Sequence, residues 1–346
     1  MTQSRHIPVL DHLRGIAAIA VCLFHFSCGN GDLLSDDDPV KVLGSFGLLG
    51  VEAFFVISGF VIPYSLHLRS YRLADSPSFF ARRLKRLEPP YFACIIVVII
   101  LHQLSAWAPG FRGSALNLTW QQLLAHLGYL NAILEYGWLN PVFWTLAIEF
   151  QYYIFIALVF PVLVHANSVI RHLAVLAVAL LGLTGLGNFA LLPFWLPLFA
   201  IGMATFQFYT NQVSARWYAV LLFTVFLLSY YLVGSQHSVV GICTALTIVA
   251  ASSRELPRIF APFAFLGTIS YSLYLLHTPI GGRIVNLSTR LPELGIYRYS
   301  AIVVAFVVSV LCAYAFWQIV ERPSQRWSKS PSTDAKAKQS EEQIKD

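Results

Sequence analysis

The sequence predicts an all-α protein, a polytopic membrane helix bundle of about ten transmembrane helices with both termini cytoplasmic. Three observations predict it. Hydrophobic residues make up 57% of the 346 and charged residues only 12%, about half the charged share of a soluble globular domain. Apolar runs long enough to cross a bilayer recur along the chain. Lys and Arg gather in alternate loops between those runs, as cytoplasmic loops do. The same loop asymmetry accounts for the net charge of +6, so membrane lipids are the expected surroundings and no nucleic acid is expected as a partner.

The first run, 8–28, carries ionisable groups inside an otherwise apolar helix. Arg14 and His25 stand eleven positions apart, which at 100° per residue puts them within about 20° of one face and about 16 Å apart along the axis. A charged group inside a spanning helix costs about 2.5–3.5 kcal/mol on insertion, so such residues turn to a protein interior or a watery cavity. The simpler alternative is a snorkelling arginine and a packed histidine. Because Arg14 and His25 interrupt the apolar region and no small-residue cleavage site follows, the run is expected to be a retained span and not a cleaved signal.

Further spans are expected near 45–68, 80–105, 142–164, 169–187, 191–209, 216–233, 237–252, 260–280 and 297–320, with 237–252 the shortest. An additional apolar stretch, 119–134, fits an interfacial or re-entrant segment. No internal repeat is evident. The loop before the third span supplies Arg69, Arg72, Arg82, Arg83, Lys85 and Arg86, and later alternate loops add Arg171, Arg216, Arg254 and Arg258, which puts these loops in the cytoplasm. The opposite set includes an acidic loop with Asp36, Asp37 and Asp38, read as solvated. Arg283, Arg290 and Arg298 run against the trend. Residues 324–346 are polar and expected to form a disordered cytoplasmic tail, leaving 1–323 as the transmembrane domain. The five cysteines are scattered, with neither disulfide nor metal-ligand spacing, and no metal site is expected.

Counting along alternating spans puts His25, Glu52, Glu149 and His277 at one depth on four helices, which a shared polar chamber explains better than four separate penalties. On the cytoplasmic side Arg82, Arg83 and Arg86 neighbour one another on a helix surface. Guanidinium groups so placed suit a phosphorylated ligand; an anchor to anionic lipid is the alternative.

Five blocks then match a family. Leu10-Asp11-His12-Leu13-Arg14-Gly15 through His25, Gly50-Val51-Glu52-Ala53-Phe54-Phe55-Val56-Ile57-Ser58-Gly59-Phe60, Arg82-Arg83-Leu84-Lys85-Arg86-Leu87 with Pro89 and Tyr91, Trp144-Thr145-Leu146-Ala147-Ile148-Glu149, and Ser270-Tyr271-Ser272-Leu273-Tyr274-Leu275-Leu276-His277 together resemble acyltransferase family 3. The resemblance implies a membrane O-acyltransferase of the bacterial cytoplasmic membrane. It would move an acyl group, most often acetyl, from cytoplasmic acyl-CoA to a hydroxyl of a carbohydrate such as a cell-envelope polysaccharide or lipid-linked glycan. Acetyl-CoA is then a co-substrate, and no permanently bound cofactor is implied. The resemblance also implies that Arg14 and His25 are the key pair of the first helix, that Arg82, Arg83 and Arg86 serve the CoA donor, and that Glu149 belongs to the active centre. Glu52 stands where the family more often has Asp, and His12 where a small or polar residue is usual.

The residue types suit that chemistry. A neutral His25 can take the acceptor proton with Glu149 orienting the imidazole, while Arg14, Arg82, Arg83 and Arg86 hold CoA phosphates. Glu52, Ser58, Trp144 and His277 are candidates for the chamber or the acceptor passage. Direct transfer and an acyl-enzyme on Ser58 or His25 are both open, as is the side from which the acceptor comes. A small-molecule acceptor is a further alternative, as is a transporter or exporter of a polar or lipid-linked solute.

Overall fold

A computed structural model of the chain describes residues 6–108, 111, 113, 116–185, 188–254 and 256–329. Those residues are helices and connecting turns, with no strand among them. Helix α1 (Pro8–Cys28) coincides with the first expected span. The second span enters through α2 (Pro39–Ser45), capped by the Asp38 carboxylate on the Val40 amide, and continues through a tight turn into α3 (Gly50–Leu68). The third span is α4 (Ser76–Trp107), followed by the short α5 (Trp120–Leu127) within the extra apolar stretch. Then come α6 (Phe143–Leu163), α7 (Ser168–Leu180), α8 (Leu192–Tyr209), α9 (Ala215–Val233) and α10 (Ser235–Ala251).

The expected straight span at 260–280 is instead broken. It runs as α11 (Ala261–Thr268), α12 (Ser270–Leu276), one π-helical turn over His277–Gly281 and α13 (Gly282–Ser288), bent by 59° between Thr268 and Ser270. The last span is α14 (Gly295–Phe316), a π turn at Trp317–Glu321 and α15 (Arg322–Ser328). Helix therefore continues past Ser324, where the tail was expected to begin; residues 330–346 lie outside the described residues. Among the described residues, eight helical segments are long and apolar enough to cross a membrane, and the bent segment makes a ninth if it counts as one span; α10 is apolar but shorter.

Lipid supplies no hydrophobic drive between helices, so close backbone packing of small residues has to hold the bundle. Helix α1 lies against α11 with Gly15 on the Phe263 carbonyl and Gly267 on the Asp11 carbonyl; a Cβ at either would fall within 2 Å of that oxygen. Helices α3 and α8 meet the same way at Gly59 and Gly202. Helix α8 is the most enclosed, whereas side chains such as Ile96 and Ile100 on α4 and Val303 and Leu311 on α14 are exposed and turn outward, as lipid-facing residues do.

Pro279 has no amide hydrogen, so the carbonyl of Leu275 four residues earlier loses its helical partner. Asn140 Nδ2 and Cys94 Sγ donate to that carbonyl at 2.9 and 3.3 Å. Asn140 Oδ1 in turn accepts from the Thr278 hydroxyl at 2.5 Å. The break thus ties α4 and the entrance of α6 to the π turn carrying His277.

Candidate active site

Among the described residues, two sizeable cavities lie towards opposite ends of the bundle. The larger, about 450 Å³, lies among α1, α3, α4, α6, α12 and α15 and is lined by Arg14, Arg83, Arg86, Glu149 and Ser58 among others. His6 and Lys329 also line it, so the first and last described segments meet at the same end of the bundle. Arg83 is set between the rings of Phe79 (5.6 Å) and Tyr153 (5.3 Å). Tyr153 donates its hydroxyl to Glu149 Oε1 at 2.5 Å. Arg14 pairs with Asp11 at 3.6 Å. Arg83 and Arg86, three positions apart, share the cavity face; Arg82 is turned off it and donates to Ser78 Oγ at 3.0 Å. The expected three-arginine fork is therefore a pair on α4 completed by Arg14 from α1.

The smaller cavity, about 270 Å³, is lined by His25, Asn140, Thr278 and Arg283, with the exposed Gly29 and Asn286 at its rim. The ring of His25 lies 5.1 Å from that of His277. His277 is fully buried. Its Nδ1–H donates to the carbonyls of Tyr274 (2.8 Å) and Leu273 (3.1 Å), which leaves Nε2 as the ring's acceptor, buried and without a partner among the described residues.

Glu149 does not stand beside His25. It faces the arginines of the larger cavity, and among the described residues no hydrogen bond joins the two. Counting residues from helix ends gave both the same depth, but which cavity a side chain enters depends on how its helix is rotated and tilted. The ring next to His25 belongs to His277 instead. Glu52 enters neither cavity: its Oε1 meets His237 Nδ1 of α10 at 2.6 Å and its Oε2 is buried without a partner. Trp144 also lines neither; its ring packs 5.6 Å from Trp195 on α8. The single chamber expected at one depth is thus two cavities back to back.

Between them stand Tyr274 and Thr145, whose hydroxyls are 2.6 Å apart, with the Tyr274 ring 5.8 Å from His277 and 5.9 Å from Phe54. Both residues line the larger cavity; beyond the Tyr274 ring come His277, which lines neither cavity, and then His25 of the smaller one, so Tyr274 and Thr145 form a plug between the two. The sequence reading did not single out Thr145 or Tyr274 as site residues, nor Asn140, Arg283, His237 and Glu321. Glu321, buried at the larger cavity, accepts from the Ser272 amide (3.1 Å) and hydroxyl (2.5 Å), holding the first turn of α12 beyond the break. A carboxylate inside the apolar run Phe316-Trp317-Gln318-Ile319-Val320-Glu321 was a usable signal, as was Arg283 in a loop where the orientation rule disfavours it.

The family model described as Acyltransferase domain, that of acyltransferase family 3, matches residues 7–318, nearly the whole chain. The chain belongs to acyltransferase family 3. O-acetyltransferase OatA of Staphylococcus aureus is 26% identical over 378 residues, an alignment covering 94% of this chain and 58% of the relative. The chain thus spans little more than half the length of that family member. ORF330 of Acidianus two-tailed virus, an acetyltransferase by its name, is 25% identical over 299 residues, covering 80% of this chain and 83% of the relative. No solved structure matches the chain. Family membership joins the two cavities to one domain, an acyltransferase domain in a multi-pass membrane protein.

Proposed function

We propose that the protein is a membrane O-acetyltransferase that takes acetyl from acetyl-CoA bound in the larger cavity and gives it to a carbohydrate hydroxyl presented in the smaller one. The observation that carries this reading is the placement of three arginines in one cavity and of His25 in the other, with Thr145, Tyr274 and the buried His277 between them. Arg14, Arg83 and Arg86 line one cavity and suit the phosphates of CoA in charge and in hydrogen-bonding capacity. The pantetheine arm then extends past the Tyr274 plug, covering the roughly 16 Å axial rise between Arg14 and His25. With the basic end facing the cytoplasm, as the loop charges favour, both termini are cytoplasmic and the acceptor enters from the far side of the cytoplasmic membrane.

In the transfer step the acceptor oxygen attacks the thioester carbonyl carbon while its proton passes to His25. The tetrahedral intermediate collapses by breaking the carbon–sulfur bond, and the CoA thiolate recovers the proton from His25. His277, with its Nδ1–H committed to two carbonyls, packs its ring against that of His25 and holds it in place at the inner end of the acceptor cavity. Glu149 stays with Tyr153 and the arginines, balancing their charge where the donor binds. Direct transfer needs no acyl-enzyme, and Ser58, on the donor side of the plug, lies away from the histidines.

Sealed vesicles loaded with labelled acetyl-CoA on one side and glycan on the other test the reading. His25→Ala, folded and abundant, is expected to lose about 100-fold or more of transfer. Full activity in that variant removes the base assignment. A second reading, a transporter of a polar or lipid-linked solute, is favoured by the broken span at Thr268 and Ser270; solute movement independent of acetyl-CoA decides for it.

A further inference from the structure

Arg283 is one of three arginines at the far end, with Arg290 and Arg298, that the orientation rule does not explain, and of these it lines the smaller cavity. It is half-buried on α13 and held in place by neutral acceptors: its Nε donates to Ser105 Oγ at 3.0 Å and its Nη1 to the Pro279 carbonyl at 2.5 Å. Its Nη2 has no hydrogen bond among the described residues, and no Asp or Glu lines the cavity it enters. A guanidinium fixed in a cleft without a counter-charge is a poor anchor and a good receptor for an oxyanion. Thr278 and Asn286 add a hydroxyl and an amide to the same wall, and His25 closes it.

We propose that the smaller cavity selects acceptors bearing a carboxylate or phosphate, with the anion on Arg283 and the hydroxyl to be acylated turned to His25. The proposal rests on the acceptor reading above and narrows it to anionic carbohydrate. At about 270 Å³ the cavity is slightly below the usual range for ligand sites, roughly 300–1,000 Å³, which suits a short part of a glycan carrying both groups. The same oxyanion chemistry could come from a lipid headgroup, and the test separates the two.

The test measures binding without acyl-CoA, so its failure and a failure of transfer are separate results. Purified protein in phosphatidylcholine nanodiscs is titrated with a uronic-acid oligosaccharide and with its neutral methyl ester. The wild type is expected to bind the acid about tenfold more tightly, the worth of one charge-assisted hydrogen bond. Arg283→Gln should bring the two affinities within twofold and leave that of the ester unchanged, while Arg283→Lys, which keeps the charge, should retain part of the preference. A wild type without preference, or a preference that survives in R283Q, overturns the proposal. If adding phosphatidylglycerol abolishes the wild-type preference, Arg283 belongs to a headgroup and the carbohydrate assignment falls.

Discussion

The contact between α1 and α11 makes a sharp prediction because α1 carries both Arg14 and His25. In Gly267→Ala the new Cβ would fall 1.8 Å from the Asp11 carbonyl oxygen and 2.5 Å from its carbon. Ordinary contact begins near 3.4 Å, so the backbones must part by about 1.6 Å. No flexible side chain can yield instead, since the atoms met are main chain. A displacement of about 1 Å in a positioning element costs about 100-fold in rate, so G267A should retain 1% or so of acetyl transfer. The assay is release of CoA from acetyl-CoA in the presence of acceptor, on membranes where expression and detergent melting are shown to match the wild type. Gly137→Ala, with nothing within 4 Å of its new Cβ, serves as control and should be unaffected. A G267A protein within threefold of wild type would refute the reasoning that α1 is held in place by this glycine.

Three further predictions follow from the site. Arg83→Ala and Arg86→Ala should each weaken CoA binding about tenfold in a displacement assay, whereas Arg82→Ala, off the cavity face, should leave it within twofold; equal effects at all three would restore the lipid-anchor reading. Glu52→Gln or His237→Ala breaks a pair whose carboxylate is buried and whose imidazole is part-exposed and should cost about 1–3 kcal/mol of stability, the double variant losing less than the two singles together; additive losses in a denaturation cycle would show that the pair is not coupled. Tyr274→Phe and Thr145→Val each remove the hydrogen bond of the plug and should raise release of CoA from acetyl-CoA in the absence of acceptor. An unchanged background would mean that the plug does not exclude water.

The helices were legible because lipid demands long apolar runs, and ten such runs can be counted without knowing how they pack. That Arg14, Arg83, Arg86 and Glu149 face a cavity was legible for a similar reason, since a charge within such a run turns from lipid to a polar interior. The break between Thr268 and Ser270 was not, because its cause is tertiary: Gly267 takes a place against Asp11, and Glu321 from another helix satisfies the freed amide of Ser272. Pairings between helices were lost likewise. Glu52 was assigned to the chamber, but its partner His237 sits at the start of the shortest apolar run, where a single histidine carries no signal. Axial depth follows from counting residues, but rotation about the helix axis, which separates Glu149 from His25, follows only from what each face packs against.

The plug at Tyr274 and Thr145 has a consequence for the cell as well as for the reaction. On the proposed reading, with acetyl-CoA entering at one end and a sugar at the other, the protein would conduct protons and ions if its two halves were ever joined by water. One hydrogen bond, backed by an aromatic ring and a buried imidazole, stands between the two cavities and in the way of such a water path. On that reading the bilayer stays electrically tight during turnover only if the thioester itself serves as the stopper.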